Sequence, residues 1–386
     1  MNAVLEVFFW LSIALIVWTQ LGYALALAAL AALLGARKSS PVDAGAQPSV
    51  SLIVAAHDEQ EVIATKVSNA LALDYPRELV ELIVACDGCT DATAQRAREA
   101  GAVAVLELSR GGKIRAQDAA VRSAGGEIVA FSDANALWEP DALRALVSAF
   151  ADPGVGYACG EVRFFQNPHP PRGENATNQE GLYWRYELAV RSLESRLGSI
   201  TAGNGAIYAT RREAYIEVDP IMGHDLSFPF NMVKRGWRAV YVPAARAAEK
   251  MVPSIEGEFA RKRRMMSHTW PIVLRGGMLS PRGYGLGYGL MILSHRILRY
   301  ATPALHAIAL VANLLLVLDG AGTLYTVTLM LQWALLVAAG VGGVVRTRPL
   351  LLARYYVLTT ASPALGLWDW LRHGTEASWD VAEGTR

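Results

Sequence analysis

The chain has 386 residues, of which 53% are hydrophobic and 18% are charged, and its formal net charge is +1. This length favours two or three domains, or one domain plus membrane segments. The near-neutral charge argues against a nucleic-acid-binding protein, because it provides no general basic field for phosphates. The three cysteines do not make a disulfide framework.

The N-terminal segment 1–36 is predicted to be a transmembrane helix. Residues 7–36 carry no charged side chain, and a helix of that length reaches about 45 Å, more than the ~30 Å hydrocarbon core requires. Arg37 and Lys38 follow immediately, so the positive-inside rule places the next segment in the cytoplasm. Residues 37–49, rich in Ser, Pro, Ala and Gly, are predicted to be a linker.

From residue 50 to about residue 242, short apolar runs alternate with segments of helical length. The pattern predicts strands over 51–55, 81–85, 103–108 and 127–131, and helices over 59–73, 90–100 and 114–124. Strands separated by helices of this length imply βαβ crossovers and a mainly parallel sheet. The predicted fold class is therefore α/β, in a cytoplasmic domain.

A polar motif follows each of these strands. Open α/β sheets bind ligands at such strand ends. Oxygens at i and i+2 of an extended segment point the same way, so Asp133 and Asn135 suit a divalent cation that in turn holds a diphosphate. Each motif alone is also explained as a turn or a helix cap, but together they predict a nucleotide site. The motifs are Ala56-His57-Asp58-Glu59, Asp87-Gly88-Cys89-Thr90-Asp91, Ser109-Arg110-Gly111-Gly112-Lys113 and Asp133-Ala134-Asn135.

Two of the three cysteines are close in sequence, in Cys86-Asp87-Gly88-Cys89. This spacing is that of a redox pair or of half a zinc site. No second pair is present in the sequence, which argues against both interpretations.

The motifs over roughly residues 50–275 resemble those of the inverting family 2 glycosyltransferases with the GT-A fold. That group includes membrane-bound cellulose, chitin and hyaluronan synthases. The resemblance implies a nucleotide-sugar donor, UDP-linked, and Mg or Mn held by Asp133 and Asn135 at the position of a DxD motif. It also implies that Glu59 and Asp87 contact the uridine. The donor-binding residues that it assigns are Ala56, Asp58, Glu59, Asp87, Lys113, Asp133 and Arg261.

The sequence departs from the family pattern at several of these positions. Asn135 replaces the second Asp of the DxD motif, and its amide brings one negative charge fewer, so cation binding should weaken. Asp58 and Asp118 stand where many members have Asn, and Cys89 stands where most have Ser. Cys89 is therefore interpreted as an isosteric turn residue.

The second half of the domain is predicted to bind the acceptor and to supply a base. Gly203, Asn204 and Gly205 resemble the segment that forms the floor of the sugar site, where glycine admits a ring closely; the alternative is a bulged strand. His224 and Asp225 resemble the family's (T/E)D segment, so Asp225 is predicted to deprotonate the acceptor hydroxyl. The alternative for Asp225 is a helix cap, and His224 either tunes the base, contacts the acceptor or fills space.

Arg261-Lys262-Arg263-Arg264-Met265 falls where the family carries QxxRW. By that resemblance Arg264 assists departure of the nucleoside diphosphate, and Arg261 contacts the donor. The alternative is a juxtamembrane basic cluster that attracts anionic lipid. Met265 replaces the Trp that stacks on an acceptor sugar, which argues against processive polymer synthesis.

The C-terminal third returns to membrane-type composition. Residues 276–289, with six glycines and interspersed Tyr and Leu, are predicted to be irregular, within an interfacial segment 276–299. Residues 300–372 are predicted to hold two or three further spans, because 300–318 and 320–345 each contain an uncharged stretch long enough to cross. Residues 373–386 form a polar tail.

These inferences together predict a multi-pass membrane glycosyltransferase with a cytoplasmic catalytic domain. It would transfer a sugar, with inversion, from a nucleotide-sugar donor to a lipid or lipid-linked acceptor hydroxyl. Two alternatives stay open. One is a processive exopolysaccharide synthase of the same family, and the other is a non-catalytic membrane protein that binds a nucleotide sugar. Neither involves nucleic acid.

Overall fold

The structure is a computed structural model that describes residues 2–35, 47–165, 178–250 and 255–377. It divides into two compact units, each described here by itself. The sheet unit comprises the described parts of 34–253, 271–288 and 375–386, and the helical unit those of 1–33, 254–270 and 289–374. Most of the predicted linker 37–49 and of the predicted tail 373–386 lies outside the described residues.

The sheet unit is built on one eight-stranded sheet, in the order β3-β2-β1-β4-β7-β6-β8-β5. The strands are β1 Val50–Ala56, β2 Val80–Asp87, β3 Ala104–Leu108, β4 Ile128–Asp133, β5 Leu137–Trp138, β6 Val155–Phe165, β7 Ile207–Arg211 and β8 Arg238–Lys250.

The first four strands in this order, β3 to β4, pair in parallel. Every residue of β1 is buried, so its apolar run needs no alternation of polar and apolar side chains. Helices cross over between the parallel strands, at Ile63–Leu71, Thr93–Glu99 and Lys113–Ser123. The predicted α/β class is confirmed, and the predicted elements agree with these within a few residues at their ends.

The other half of the sheet is mixed. β7 runs antiparallel to both β4 and β6, whereas β8 runs parallel to β6 with two irregularities in register. β5 is a two-residue edge strand that pairs antiparallel with β8. The remaining helices of the sheet unit include Ala142–Ser148, Asn178–Leu197 and His224–Lys234, with short 3-10 turns at Arg77–Leu79, Ala149–Ala151 and Arg212–Ala214.

An aromatic cluster fills the sheet face beneath helix His224–Lys234. The rings of Phe131 and Tyr208, on neighbouring strands, stack with centroids 4.6 Å apart. Tyr157 stacks on Tyr208 at 5.7 Å, and Phe228 of the helix lies edge-on to both tyrosines. Paired rings in these geometries stabilise a core by about 0.5–1.5 kcal/mol each beyond their buried area. We call Phe131, Tyr157, Tyr208, Tyr215, His224 and Phe228 the aromatic cluster.

The helical unit is built from helices Asn2–Leu34, Ile255–Leu274, Leu286–Leu318, Thr323–Val341 and Arg348–His373. Three of them, Asn2–Leu34, Leu286–Leu318 and Thr323–Val341, are long and apolar enough to span a membrane. Residues 276–285 contain neither helix nor strand, as predicted for the irregular stretch 276–289, but the last four residues of that stretch begin helix Leu286–Leu318.

Candidate active site

The ends of the parallel strands bring the predicted motifs to one edge of the sheet. β1 lies between β2 and β4, and the pairs Ala56↔Cys86 and Ala55↔Asp133 place the carboxyl ends of the three strands within one residue of each other in register. Because the strands are parallel, their carboxyl ends meet at the same edge. Ala56, Asp87 and Asp133 therefore lie side by side, as the sequence predicts.

Asp87 is a buried carboxylate that holds the loop after β3. It accepts hydrogen bonds from the backbone N–H groups of Gly111, at 2.6 Å, and Gly112, at 2.9 Å, and pairs with Arg110 at 3.1 Å. Gly112 has a φ of +92°, a conformation that glycine adopts without steric cost. Asp87 thus shapes the loop that precedes Lys113, and a direct contact of Asp87 with the donor stays a prediction.

Lys113 and Asp133 form an ion pair at the centre of the site. Burial lowers the pKa of Lys113, but the charge of Asp133 and the hydrogen bond to it outweigh that effect, and the pKa is raised. Lys113 is therefore a cation at neutral pH. Its Nζ also lies 3.4 Å from the position that a Cβ on Gly205 would take, so a side chain there would crowd the ammonium.

The turn Asp133-Ala134-Asn135 is supported from behind by a buried lysine that sequence reasoning missed. Lys66 is fully buried, and its Nζ donates a hydrogen bond of 2.6 Å to the backbone carbonyl of Ala136. Burial lowers the pKa of Lys66 to about 7, although Asp133 opposes this shift. The signal was present in the sequence, because Lys66 falls on the apolar stripe of helix Ile63–Leu71.

The glycine segment forms a tight loop before β7. The N–H of Gly203 donates a 2.7 Å hydrogen bond to the backbone carbonyl of Asp225, and a Cβ on Gly203 would lie 2.0 Å from the Tyr157 hydroxyl oxygen. The Asn204 amide donates to the Gly160 carbonyl at 2.6 Å and accepts from two backbone N–H groups of the loop. These contacts show what shapes the loop, and contacts of its residues with an acceptor stay predictions.

Asp225 lies in the first turn of helix His224–Lys234, whose N-cap position is held by Gly223. Burial raises the pKa of its carboxyl, and this effect exceeds the lowering by Lys113 and by the backbone N–H of Leu226. A carboxylate with a raised pKa is a better proton acceptor at neutral pH than an exposed one. Asp225 and Lys113 are close enough that each shifts the pKa of the other.

His224 belongs to the aromatic cluster. Its ring is 2% exposed, stacks on Phe228 at 4.0 Å and is joined to the Tyr208 hydroxyl by a 2.8 Å hydrogen bond at Nδ1. Burial and the nearby charge of Lys113 lower the pKa of His224 to about 3. The imidazole is therefore neutral throughout the physiological range. Its contacts are those of a space-filling core residue, and a contact with the acceptor stays a prediction.

The segment after β1 is tied to the segment after β2. Asp58 has a φ of +48° and accepts a 2.7 Å hydrogen bond from the Thr90 backbone N–H. Glu59 is buried, and its N–H donates to the Thr93 hydroxyl at 2.7 Å. Both residues lie at the predicted donor edge.

Arg261 and Arg264 lie in the helical unit, on helix Ile255–Leu274. The Arg261 guanidinium makes two 2.7 Å hydrogen bonds to Glu258 of the same helix. Arg264 is exposed. The predicted roles of both arginines at the diphosphate stay predictions.

Comparison with known families identifies the chain. Residues 48–267, more than half of the sequence, match the family model described as "Glycosyltransferase like family 2". The chain belongs to the family 2 glycosyltransferases. The family that the strand-end motifs resemble is thereby confirmed, and with it the enzyme class.

Two curated relatives of this family 2 glycosyltransferase differ in their named products. The poly-beta-1,6-N-acetyl-D-glucosamine synthase of Staphylococcus aureus is 24% identical over 210 residues, which cover 51% of this chain and 48% of that protein. The beta-monoglucosyldiacylglycerol synthase of a Nostoc species is 36% identical over 119 residues, 29% of this chain and 25% of that protein. The chain thus spans about half the length, or less, of the curated relatives that it matches.

A solved structure shares the fold over nearly the whole glycosyltransferase chain. The mannosyltransferase from Pyrobaculum calidifontis in complex with GDP-Man and Mn2+ superposes with a TM-score of 0.71 at 22% identity. The match covers 95% of this chain and 99% of that one. The GT-A fold predicted from the motifs is confirmed.

Proposed function

We propose that this glycosyltransferase transfers a sugar, with inversion, from a nucleotide-sugar donor to the hydroxyl of a lipid or lipid-linked acceptor at the membrane. The observation that carries the proposal is the meeting of Lys113, Asp133, Gly205 and Asp225 within the sheet unit. A cation for phosphate, a carboxylate for a metal, an open backbone surface and a base are the groups that such a transfer requires.

Asp225 acts as the general base in this proposal. An acceptor hydroxyl must lose its proton as it attacks the anomeric carbon from the face opposite the leaving diphosphate. The raised pKa of Asp225 strengthens it as a base, and the ionised form that accepts the proton is lost as the pH falls through that pKa. The rate should therefore fall on the acid side at a pH above the ordinary range of an aspartate.

Lys113 holds the donor diphosphate. With no donor bound it pairs with Asp133. A diphosphate that binds beside Lys113 carries more negative charge than the Asp133 carboxylate, so the Lys113 ammonium turns from Asp133 toward the phosphates. That movement also frees Asp133 for a divalent cation.

The residues at the end of β4 fit a hard divalent cation. Asp133 offers a carboxylate and Asn135 an amide oxygen, and both side chains are partly exposed at the site. When bound, Mg or Mn would neutralise charge on the departing diphosphate. The Pyrobaculum mannosyltransferase is described with Mn2+, which supports a cation of this class. Mn2+ is our choice for the first assays.

A lipid acceptor is supported by the three apolar helices and by the glycolipid named for the Nostoc relative. In this proposal the chain is a multi-pass protein of the cell membrane. The sheet unit is on the cytoplasmic side, because Arg37 and Lys38 follow the first helix and basic residues next to a span favour the cytoplasm. The staphylococcal relative favours the second candidate, a processive polysaccharide synthase. Met265, in place of the stacking Trp, supports single transfer.

The test measures release of nucleoside diphosphate and product size in membranes that contain the full chain. The donors are UDP-glucose, UDP-galactose, UDP-GlcNAc and GDP-mannose, each with Mn2+ and with diacylglycerol as acceptor. The matched variants are Asp225→Asn and Asp141→Asn, since Asp141 is an exposed aspartate of the same unit. We expect release that Asp225→Asn lowers by about 10²–10⁴-fold and Asp141→Asn leaves unchanged.

Three outcomes would contradict parts of this proposal. Release that survives Asp225→Asn would remove the base assignment. A radiolabelled product of many sugars would favour the polysaccharide synthase. Donor binding without release for every donor would favour the non-catalytic alternative.

A further inference from the structure

Three side chains at the ends of β1 and β2 form a cluster that the proposed transfer does not use as a unit. His57, Asp58 and Cys89 each offer one metal-ligating atom, and these atoms lie within 4.8 Å of one another. All three residues are partly exposed, so a solvated ion has access to them. The cluster combines a ring nitrogen, a carboxylate oxygen and a thiol sulfur.

His57 is oriented by a hydrogen bond on one side of its ring. Its Nδ1 lies 2.7 Å from the backbone carbonyl oxygen of Asp87. Since a carbonyl only accepts, Nδ1 carries the hydrogen, and the lone pair of the neutral ring is on Nε2. Nε2 faces the Asp58 Oδ2 at 3.7 Å. A carbonyl that fixes the tautomer in this way is the usual outer partner of a metal-binding histidine.

Asp58 is held with one oxygen toward His57 and the other toward the backbone. Its Oδ1 accepts a 2.7 Å hydrogen bond from the Thr90 N–H, and the Thr90 hydroxyl lies 3.3 Å from both carboxylate oxygens, so that Oδ2 lies between this hydroxyl and the imidazole. Among the described residues Asp58 is the only non-glycine with positive φ. The hydrogen bond from Thr90 helps to keep the carboxylate in this orientation.

Cys89 completes the cluster with a partly exposed thiol. Its Sγ donates a 3.5 Å hydrogen bond to the backbone carbonyl of Ala56, which keeps the sulfur beside the end of β1. Metals bind the thiolate rather than the thiol. Cys86 is 2% exposed and is not a member of the cluster.

We propose that His57, Asp58 and Cys89 form a second cation site, selective for zinc, separate from the site of Asp133 and Asn135. Zinc takes nitrogen, sulfur and oxygen ligands at about 2.0–2.3 Å in a tetrahedron, which places its ligands about 3.3–3.8 Å apart. His57 and Asp58 already meet this separation. A small rotation of the Cys89 side chain completes three ligands, and water fills the fourth position.

The two sites are expected to select different metals. The oxygen-only ligands of Asp133 and Asn135 suit Mg and Mn, whereas a thiolate and an imidazole favour zinc and cobalt over both. The zinc-site proposal does not depend on the proposed transfer, because its test measures metal binding alone.

The experiment titrates Co2+ into the full-length, metal-stripped protein in detergent with a non-coordinating reductant present. A Co2+ ion bound by a thiolate shows a near-ultraviolet charge-transfer band. We expect a band that saturates at one Co2+ per chain, is displaced by Zn2+ and is unaffected by excess Mg2+. Cys89→Ser should abolish the band, and His57→Ala should weaken Co2+ binding by about 10-fold or more. Cys159→Ala, at a buried cysteine, is the control and should retain the charge-transfer band.

A second measurement keeps the proposal testable if a variant fails to fold. Iodoacetamide labelling of the natural protein, followed by peptide mass spectrometry, should modify Cys89 without zinc and spare it with zinc. No cobalt band, a band that survives Cys89→Ser, or labelling of Cys89 that zinc does not change would each overturn the proposal.

Discussion

Replacing Asp118 by Asn should stabilise the sheet unit in a pH-dependent way. Asp118 is 6% exposed, on helix Lys113–Ser123, and accepts a 2.6 Å hydrogen bond from the Tyr215 hydroxyl. Burial raises the pKa of Asp118 to about 6 from 3.8, against the lowering effect of that hydrogen bond. An Asn oxygen accepts the same hydrogen bond without ionising.

The size of the effect follows from the pKa shift. Because the folded state resists ionisation, the native protein loses stability as the pH rises from 3.8 to about 6, and the loss then stays constant. The shift corresponds to about 3 kcal/mol above pH 6, about half of that at pH 5 and almost nothing below pH 3.8. For a unit of this size, 3 kcal/mol raises the melting temperature by about 6–12 °C.

The assay is thermal unfolding of the purified full chain, followed by tryptophan fluorescence at pH 5 and pH 8. We expect Asp118→Asn to melt higher than the natural protein at both values, with the larger difference at pH 8. Asp141→Asn, at an exposed aspartate, is the control and should change little. An Asp118→Asn protein that melts lower, or whose gain does not depend on pH, would refute the reasoning.

Three further predictions concern the site. Gly203→Ala should lower the free energy of unfolding by about 1–3 kcal/mol and remove most of the activity, because the added Cβ would clash with the Tyr157 hydroxyl. Gly198→Ala is the control, since no heavy atom lies within 4 Å of the added Cβ, and its melting temperature and turnover should not change. Asn135→Asp should lower the half-saturating Mn2+ concentration of donor hydrolysis several-fold, because it adds a charge; an unchanged value would remove position 135 from the cation site. Lys66→Met should raise the same concentration roughly tenfold, since the turn loses its buried hydrogen bond; a drop in melting temperature alone would assign Lys66 to folding only.

The parallel half of the fold was predictable because its signal is local. Each of β1, β2 and β4 is a short apolar run, and each ends in a polar motif that marks the ligand edge. The mixed half was harder, because β8 pairs with β6 across a large sequence separation and at irregular register. No short-range pattern specifies such a pairing.

The sequence predicted that the strand-end motifs meet at one edge of the sheet, but it did not predict the contacts among them; the roles of the candidate site residues stay predictions. The ion pair of Lys113 with Asp133 depends on a helix that starts after β3 and a strand that comes later, so spacing alone did not show it. The same is true of the buried position of His224, which is set by Phe131 and Tyr208 on two strands, by Tyr215 after β7 and by Phe228 of its own helix. Lys66 was missed because a lysine is normally read as a surface residue, and its burial depends on one backbone carbonyl in a turn far along the chain.

The aromatic cluster fixes the distance between Asp133 and Asp225. Phe131 lies two residues before Asp133, and His224 adjoins Asp225, so the packed rings connect the end of β4, where we propose a cation, with the start of the helix that carries the proposed base. A close-packed interior resists small changes of spacing. Substitutions in the surrounding loops should therefore leave the separation of Asp133 and Asp225 unchanged, whereas a smaller ring within the cluster should alter it.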